Sequence, residues 1–154
     1  MLEAVAALAL ALAPSPRACT AHELLPLGGR LQGATGSMVG SLRIRNVSAS
    51  ACRVGGRPSA SVADRSGKLL PTRERRLSPE LRVTEVLRPG QVAELELAWS
   101  NWCGTWPRGV LVRQLRLRLT LTTGARLTLP LRSGRPRCDL PTVGSSLALS
   151  PFGR

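Results

Sequence analysis

The sequence predicts an all-β domain, an immunoglobulin-like two-sheet β-sandwich of seven to eight short strands closed by two disulfides. Apolar residues recur with a period of two, turn residues separate the resulting segments, and four cysteines are spread along the chain. No long stretch has a helical period, and neither a repeat nor a second domain is visible. We therefore expect a single sandwich over residues 19–154, preceded by a leader over residues 1–18.

Alternation of apolar and polar residues places the individual strands. Residues 38–44 put apolar side chains on one face and Arg43 on the other, and Arg45 continues that outer face. A shorter strand covers Ala60 and Val62. Residues 93–99 alternate most clearly, with Glu94 and Glu96 pointing to water. Further strands are expected over 81–87 and 146–149, and an exposed arginine-rich loop over 71–79.

A hairpin is predicted from two leucine-rich segments, 115–121 and 127–131, which a glycine-containing turn separates. Arg116 and Arg118 occupy the outer face of its first strand. If that strand lay beside the 93–99 strand, these arginines could form cross-strand ion pairs with its two glutamates.

The N-terminus resembles a signal peptide, because residues 2–13 are apolar except for Glu3 and are too few to span a bilayer. No basic residue precedes this stretch, which is atypical of such leaders. Pro16-Arg17-Ala18 does not match a lipobox, and acylation of Cys19 would leave one cysteine unpaired. We expect an extracellular or cell-envelope location, with no transmembrane span in the mature domain.

The net charge of +13 suggests an anionic partner. Arginine supplies every positive residue except Lys68, so a compositional bias explains part of this charge. We expect anionic cell-wall polymer or lipid headgroups as partners, and no specific nucleic acid. The candidate binding residues are the outward arginines of the predicted strands, Arg43, Arg45, Arg116 and Arg118.

Four cysteines permit three disulfide connectivities. We favour Cys19–Cys52 and Cys103–Cys138, because each bond joins a strand end or loop to a segment on the same flank of the chain. A zinc site would need closely spaced Cys or Cys/His pairs, which are absent from the sequence. We expect neither a metal nor a cofactor.

All three tryptophans lie within eight residues, at Trp99, Trp102 and Trp106. In one interpretation, Trp99 ends a strand in the core and Trp102 packs on a disulfide. In the other, Trp102 and Trp106 form an exposed platform for a sugar or a protein partner. The packing interpretation is favoured.

Catalytic residues are scarce. The single histidine, His22, has no nucleophile motif near it, and the nine acidic residues are scattered. We therefore expect a non-catalytic binding or structural module of the cell envelope. The alternatives are a cell-envelope hydrolase and nucleic-acid binding through the arginine-rich surface.

Several short segments occur in the order found in a known family. They are Cys19-Thr20-Ala21, Gly36-Ser37, Leu42-Arg43-Ile44-Arg45-Asn46, Cys52-Arg53-Val54-Gly55-Gly56-Arg57-Pro58, Leu87-Arg88-Pro89-Gly90, Trp99-Ser100-Asn101-Trp102-Cys103-Gly104, Cys138 and Leu149-Ser150-Pro151-Phe152. Together they resemble the domain of unknown function 4232, found mainly in actinobacterial secreted proteins and lipoproteins. The resemblance implies secretion, a β-sandwich and the favoured cysteine pairing, and it transfers no catalytic residue.

Overall fold

The computed structural model describes residues 15–77, 84–103, 115–131 and 135–153, and the apolar residues 2–13 of the predicted leader lie outside them. One 3₁₀ turn, Ala21–Glu23, precedes the strands. In chain order these are β1 (Leu24–Gly28), β2 (Gln32–Ala34), β3 (Ser37–Asn46), β4 (Cys52–Gly55), β5 (Ser59–Ala63), β6 (Arg73–Arg76), β7 (Thr84–Leu87), β8 (Val92–Ser100), β9 (Arg116–Thr120), β10 (Arg126–Pro130) and β11 (Ser146–Leu149). The predicted all-β fold is confirmed. The described strands outnumber the expected seven to eight because most of them are only three to five residues long.

The strands form three sheets. The largest has the order β1-β3-β8-β11-β6, with β2 also paired to β3, and the second has the order β10-β9-β5. The smallest contains β4 and β7. Every described pair is antiparallel except β11 with β6.

The two larger sheets enclose one hydrophobic core. Each contributes the side chains of one face, while the alternate side chains point outward. The buried residues of these sheets include Leu42, Ile44, Leu95, Leu97, Trp99, Leu147 and Leu149 from the first and Val62, Leu117, Leu119, Leu127 and Leu129 from the second. Among the described residues, the core is aliphatic apart from Trp99, Trp102, Phe152 and the Cys19–Cys52 disulfide, and the arrangement is a sandwich.

Strand β8 has the predicted alternation. Its core-facing residues, from Ala93 to Trp99, are almost completely buried, whereas Glu96 is exposed and Glu94 is half-buried. The hairpin of β9 and β10 is likewise confirmed, with Leu117 opposite Leu129. Period-two patterning was therefore sufficient to identify β8 and one complete hairpin.

The arginine-rich segment predicted as an exposed loop over residues 71–79 contains a strand, β6, so that prediction was wrong. β6 pairs with β11 in parallel, with Arg73 opposite Ser146 and Arg75 opposite Ala148. It is the edge strand of the largest sheet. Edge strands are held by backbone hydrogen bonds and are often charged, which discourages pairing with other chains, so no apolar period marks them.

The two charged strands are not neighbours, so the condition for cross-strand ion pairs between them is not met. β9, which carries Arg116 and Arg118, pairs with β5 and β10, whereas β8 pairs with β3 and β11. On the largest sheet, Glu94 stands opposite Arg43 of β3. β8 and β9 belong to different sheets, and each contributes its apolar face to the same core.

A buried asparagine, Asn46, ends β3 and fixes the turn that follows it. Its side-chain amide donates to the carbonyl oxygens of Ser50 and Leu87, at 2.9 and 2.8 Å. Its side-chain oxygen accepts hydrogen bonds from the amide and the hydroxyl of Ser48, at 2.9 and 2.8 Å. This side chain therefore links the turn before β4 to the end of β7.

A second asparagine, Asn101, has the same role after β8. Its side-chain oxygen accepts hydrogen bonds from the amides of Asp139 and Leu140, both at 3.1 Å. Its side-chain amide donates to the carbonyl oxygens of Leu140, at 2.8 Å, and of Val143. Among the described residues it is the one non-glycine residue with a positive φ, 45°, a conformation that asparagine tolerates better than most residues.

Candidate functional site

The described part of the chain contains a surface cleft of about 470 Å³ at the end of β4. Its walls come from five parts of the chain: the segment before Cys19, β4 with the residues after it, the start of β7, the β9–β10 turn, and the segment after β11. The lining residues are Ala18, Arg53, Val54, Gly55, Gly56, Arg57, Thr84, Thr122, Thr123 and Pro151. A cleft of this size can hold a small ligand or one segment of a polymer.

The disulfide Cys19–Cys52 fixes the N-terminal wall of the cleft. The amide of Cys19 donates to the carbonyl of Arg53 at 3.0 Å, and the amide of Arg53 donates to the carbonyl of Arg17 at 2.8 Å. The two cysteines are 2% and 0% exposed, and their Cα atoms are 4.9 Å apart. The backbone of Arg53 is thus held on both sides, directly beside a buried covalent bond.

An ion pair secures the same N-terminal segment. The Arg17 guanidinium donates to both carboxylate oxygens of Glu23, one of them at 2.7 Å. The amide and the hydroxyl of Thr20 donate to the same carboxylate, each at 2.9 Å. The hydrogen bonds from Arg17, followed by those from Thr20, lower the pKa of Glu23 to about 2.

The opposite wall depends on a close approach between Gly56 and Thr122. The Thr122 hydroxyl donates to the carbonyl of Gly55 at 2.7 Å. Gly56 has φ +67°, and a Cβ atom there would lie 2.8 Å from Cγ2 of Thr122. Both its conformation and its position therefore require glycine. The Gly56 carbonyl accepts a hydrogen bond from Phe152, at 3.2 Å, which brings the segment after β11 to the cleft.

The lining has the chemistry of an anion site. Its lining residues include two arginines, Arg53 and Arg57, and three threonines, and none of the ten is acidic. Guanidinium groups donate paired hydrogen bonds to phosphate and carboxylate oxygens, and threonine hydroxyls can add single ones. The arrangement can therefore bind a negatively charged group.

Two carboxylates lie near this lining without belonging to it. Burial raises the pKa of Glu74, and the charge of Arg57 partly offsets that effect. Burial also raises the pKa of Glu85, which follows the lining residue Thr84 in β7. Oε2 of Glu85 is buried without a hydrogen-bond partner in the described structure, so its negative charge is poorly stabilised.

The structure does not bring the four predicted arginines together. Arg43 and Arg45 are exposed on the outer face of the largest sheet. Arg116 and Arg118 lie on the outer face of the second sheet, half-buried and exposed respectively. The two pairs point away from opposite sides of the core, and neither pair lines the cleft.

The tryptophan cluster is packed where the structure describes it. Trp99 and Trp102 make an edge-to-face contact with ring centroids 5.6 Å apart, and the indole of Trp99 donates to the Ser145 hydroxyl at 2.9 Å. Trp102 is 5% exposed, which agrees with the packing interpretation and leaves little surface for stacking a ligand. Trp106 lies outside the described residues.

The second predicted disulfide, Cys103–Cys138, is also present, so both favoured pairs are confirmed. Its Cα atoms are 4.8 Å apart. Unlike the first disulfide it lies at the surface, with Cys103 half-buried and Cys138 exposed. It joins the residues after β8 to the segment that Asn101 holds.

Other candidate features are sparse in the described residues. His22 is exposed in the 3₁₀ turn and is not among the cleft residues. No group of three or more His, Cys, Asp or Glu residues in this part of the structure is arranged to hold a metal ion. None of its helices is both long and apolar enough to cross a membrane.

Sequence reasoning missed Arg53 and Arg57 as site residues. They lie in the segment Cys52-Arg53-Val54-Gly55-Gly56-Arg57-Pro58, and the available signal was two arginines flanking a glycine pair directly after a cysteine. Paired glycines often mark close approach of another chain segment, which here is the β9–β10 turn. Identifying that turn as the partner required the tertiary structure.

Comparison with known proteins agrees with the segments noted in the sequence. Neither the curated proteins nor the solved structures gave a significant match. One family model matches residues 19–152, from the first cysteine to the buried Phe152, and so covers both disulfides and the whole cleft lining except Ala18. The chain belongs to the family described as Domain of unknown function (DUF4232).

Proposed function

We propose that the protein is an exported, non-catalytic binding module of the cell envelope, and that the Arg53/Arg57 cleft binds an anionic group of wall polymer or lipid headgroups. One observation carries this proposal. The residues that line the cleft include two arginines and three threonines, and none of the ten is acidic. The net charge of +13 adds a general attraction for polyanions.

Export is supported by two features. The apolar residues 2–13 have the length of a signal-peptide core. Both cysteine pairs form disulfides, which persist in oxidising compartments and are rare in the cytosol. An oxidised, basic domain outside the cytoplasm would encounter anionic envelope components.

The cleft is a better candidate than the outward arginines of the strands. A cation in a concave site is less screened by water than one on a flat face, and several donors can converge on one ligand group. The Arg53 backbone is also fixed by two hydrogen bonds and an adjacent disulfide. Binding there therefore needs no ordering of the backbone.

The test measures binding to an anionic polymer, poly(glycerol phosphate), and to vesicles of phosphatidylglycerol mixed with phosphatidylcholine, each at low and at physiological salt. Arg53→Gln combined with Arg57→Gln should weaken binding by about tenfold or more, because each charge-assisted hydrogen bond contributes roughly 1.5–3 kcal/mol. The matched control, Arg43→Gln with Arg45→Gln, removes the same charge from an outer sheet face.

Three outcomes are informative. Selective loss in the Arg53/Arg57 variant supports the cleft. Equal loss in both variants would show that net charge alone attracts the ligand, and no binding by the native protein at low salt would refute the anion proposal. Unfolding curves of both variants should match that of the native protein, so that a folding defect is not mistaken for lost binding.

A further inference from the structure

The two disulfides differ sharply in access although they close loops of similar length, 33 and 35 residues. Cys19 and Cys52 are buried, at 2% and 0% exposure. Cys138 is exposed, and its partner Cys103 is half-buried. Thiol–disulfide exchange requires an incoming thiolate to reach a sulfur atom, so only the second bond is open to direct attack in the folded state.

The surroundings of the exposed bond are held in place without it. Asn101 makes its four side-chain hydrogen bonds to Asp139, Leu140 and Val143. In addition, the amide of Trp102 donates to the carbonyl of Arg137 at 3.2 Å. These contacts flank both cysteines, so the segment can keep its position when the covalent link is opened.

The structure also provides partners for the thiol that opening would create. Sγ of Cys103 lies 3.4 Å from the side-chain oxygen of Asn101 and 3.4 Å from the carbonyl oxygen of Leu140. In the disulfide these are van der Waals contacts and not hydrogen bonds, because the sulfur carries no hydrogen to donate. A protonated Cys103 could donate to either oxygen, so the reduced form would not leave a buried polar group without a partner.

We propose that Cys103–Cys138 is a thiol-exchange site, in which an external thiolate attacks Sγ of Cys138 and forms a mixed disulfide with it. The S–S bond breaks, and its electron pair goes to Sγ of Cys103, which takes a proton from solvent and donates it in a hydrogen bond to Asn101 or Leu140. A second thiol can then release Cys138 as a thiol, while the two external thiols become a disulfide.

The surface around Cys138 suits a thiol-bearing partner. Arg137 precedes it and is exposed, which attracts an incoming thiolate. The nearby turn presents Leu140 and Val143 with 57% and 49% of their surface exposed, an apolar contact area beside the bond. The attacking thiol could belong to a small monothiol or to a dithiol oxidoreductase of the thioredoxin class, and the two sources are tested separately.

The experiment treats the full chain with graded concentrations of glutathione or of a reduced thioredoxin-class protein, quenches exchange with acid, alkylates free thiols and maps the peptides. Glutathione should give an adduct on Cys138 and an alkylated Cys103, with Cys19–Cys52 intact and an unchanged far-ultraviolet circular dichroism spectrum. The dithiol protein should give both Cys103 and Cys138 as free thiols, because its second thiol resolves the mixed disulfide. If only one of the two reagents exchanges with the protein, that result identifies the source of the attacking thiol.

Single variants keep the result interpretable. Cys103→Ser leaves Cys138 as a thiol and Cys138→Ser leaves Cys103, and in the folded proteins iodoacetamide should label Cys138 faster than Cys103. Opening of Cys19–Cys52 first, simultaneous opening of both bonds with loss of the fold, an adduct on Cys103, or no exchange with either reagent would each overturn the proposal. Because none of these readouts uses the cleft, they are independent of anion binding.

Discussion

Replacement of Asn101 tests how much one buried side chain contributes to the stability of this sandwich. Asn101→Ala removes four hydrogen bonds, each contributing about 0.5–1.5 kcal/mol, or about 2–6 kcal/mol together. Asp139 and Leu140 are exposed, so water can hydrate their amides after the change. That places the loss near the lower end, at about 2–3 kcal/mol.

Backbone conformation adds a second, separable contribution. At φ 45°, alanine is in the left-handed region, which costs about 1–2 kcal/mol relative to a residue that accepts it. Asn101→Ala should therefore lower the free energy of unfolding by roughly 3–5 kcal/mol, a large share of the 5–15 kcal/mol typical of a domain. Asn101→Gly loses the same hydrogen bonds without this strain and should be about 1 kcal/mol less damaging.

Asn46 provides the matched control, because it is fully buried, makes four comparable hydrogen bonds and is not among the positive-φ residues. There the order should reverse, with glycine worse than alanine by about 0.5–1 kcal/mol. Urea unfolding of the four variants with both disulfides intact measures these differences. A loss below about 1 kcal/mol for Asn101→Ala, or equal alanine and glycine effects at both sites, would refute the reasoning.

Three further predictions concern stability and its pH dependence. The pKa of Glu23 is lowered to about 2, so its ionised carboxylate stabilises the folded protein fully above the ordinary pKa near 4.5. This stabilisation is lost as pH falls toward 2. Glu23→Gln should abolish this part of the acid dependence of the free energy of unfolding, as measured by urea titrations at a series of pH values. Burial raises the pKa of Glu85, so Glu85→Gln should increase the free energy of unfolding at neutral pH. This increase should become smaller in acid, because the native carboxyl is then protonated. An unchanged free energy of unfolding at neutral pH would contradict this prediction. Cys19→Ala with Cys52→Ala should lower the free energy of unfolding by roughly 3–4 kcal/mol, from the 33-residue separation, as measured by urea unfolding.

The strands that patterning identified most clearly have one face in the core and the other in water. β8 and the β9–β10 hairpin have that environment, and their leucines alternate accordingly. β6 does not, because it is an arginine-rich edge strand held by backbone pairing to β11. Local patterning reports the environment of a side chain, and it carries no signal for backbone pairing between distant segments.

For a related reason, the periodicity of apolar residues could not predict which strands belong to which sheet. β8 and β9 have the same leucine-and-charge alternation, so nothing local distinguishes a neighbour in one sheet from a partner across the core. The cleft was missed in the same way, since Gly56 and Thr122 meet only after the sheets have packed. The cysteine pairs were predictable because chain position limited their plausible connections.

The construction of the cleft links ligand binding to completion of the fold. Arg53 and Pro151 both line it, although most of the domain separates them in sequence. A partly folded chain therefore lacks the site, and a ligand would select the complete native state. At a ligand concentration one hundred times Kd, that selection adds about 2.7 kcal/mol to the free energy of unfolding of the entire domain. An anionic group bound in the cleft would thereby protect the whole molecule, including strands that do not line the cleft, from thermal unfolding and proteolysis.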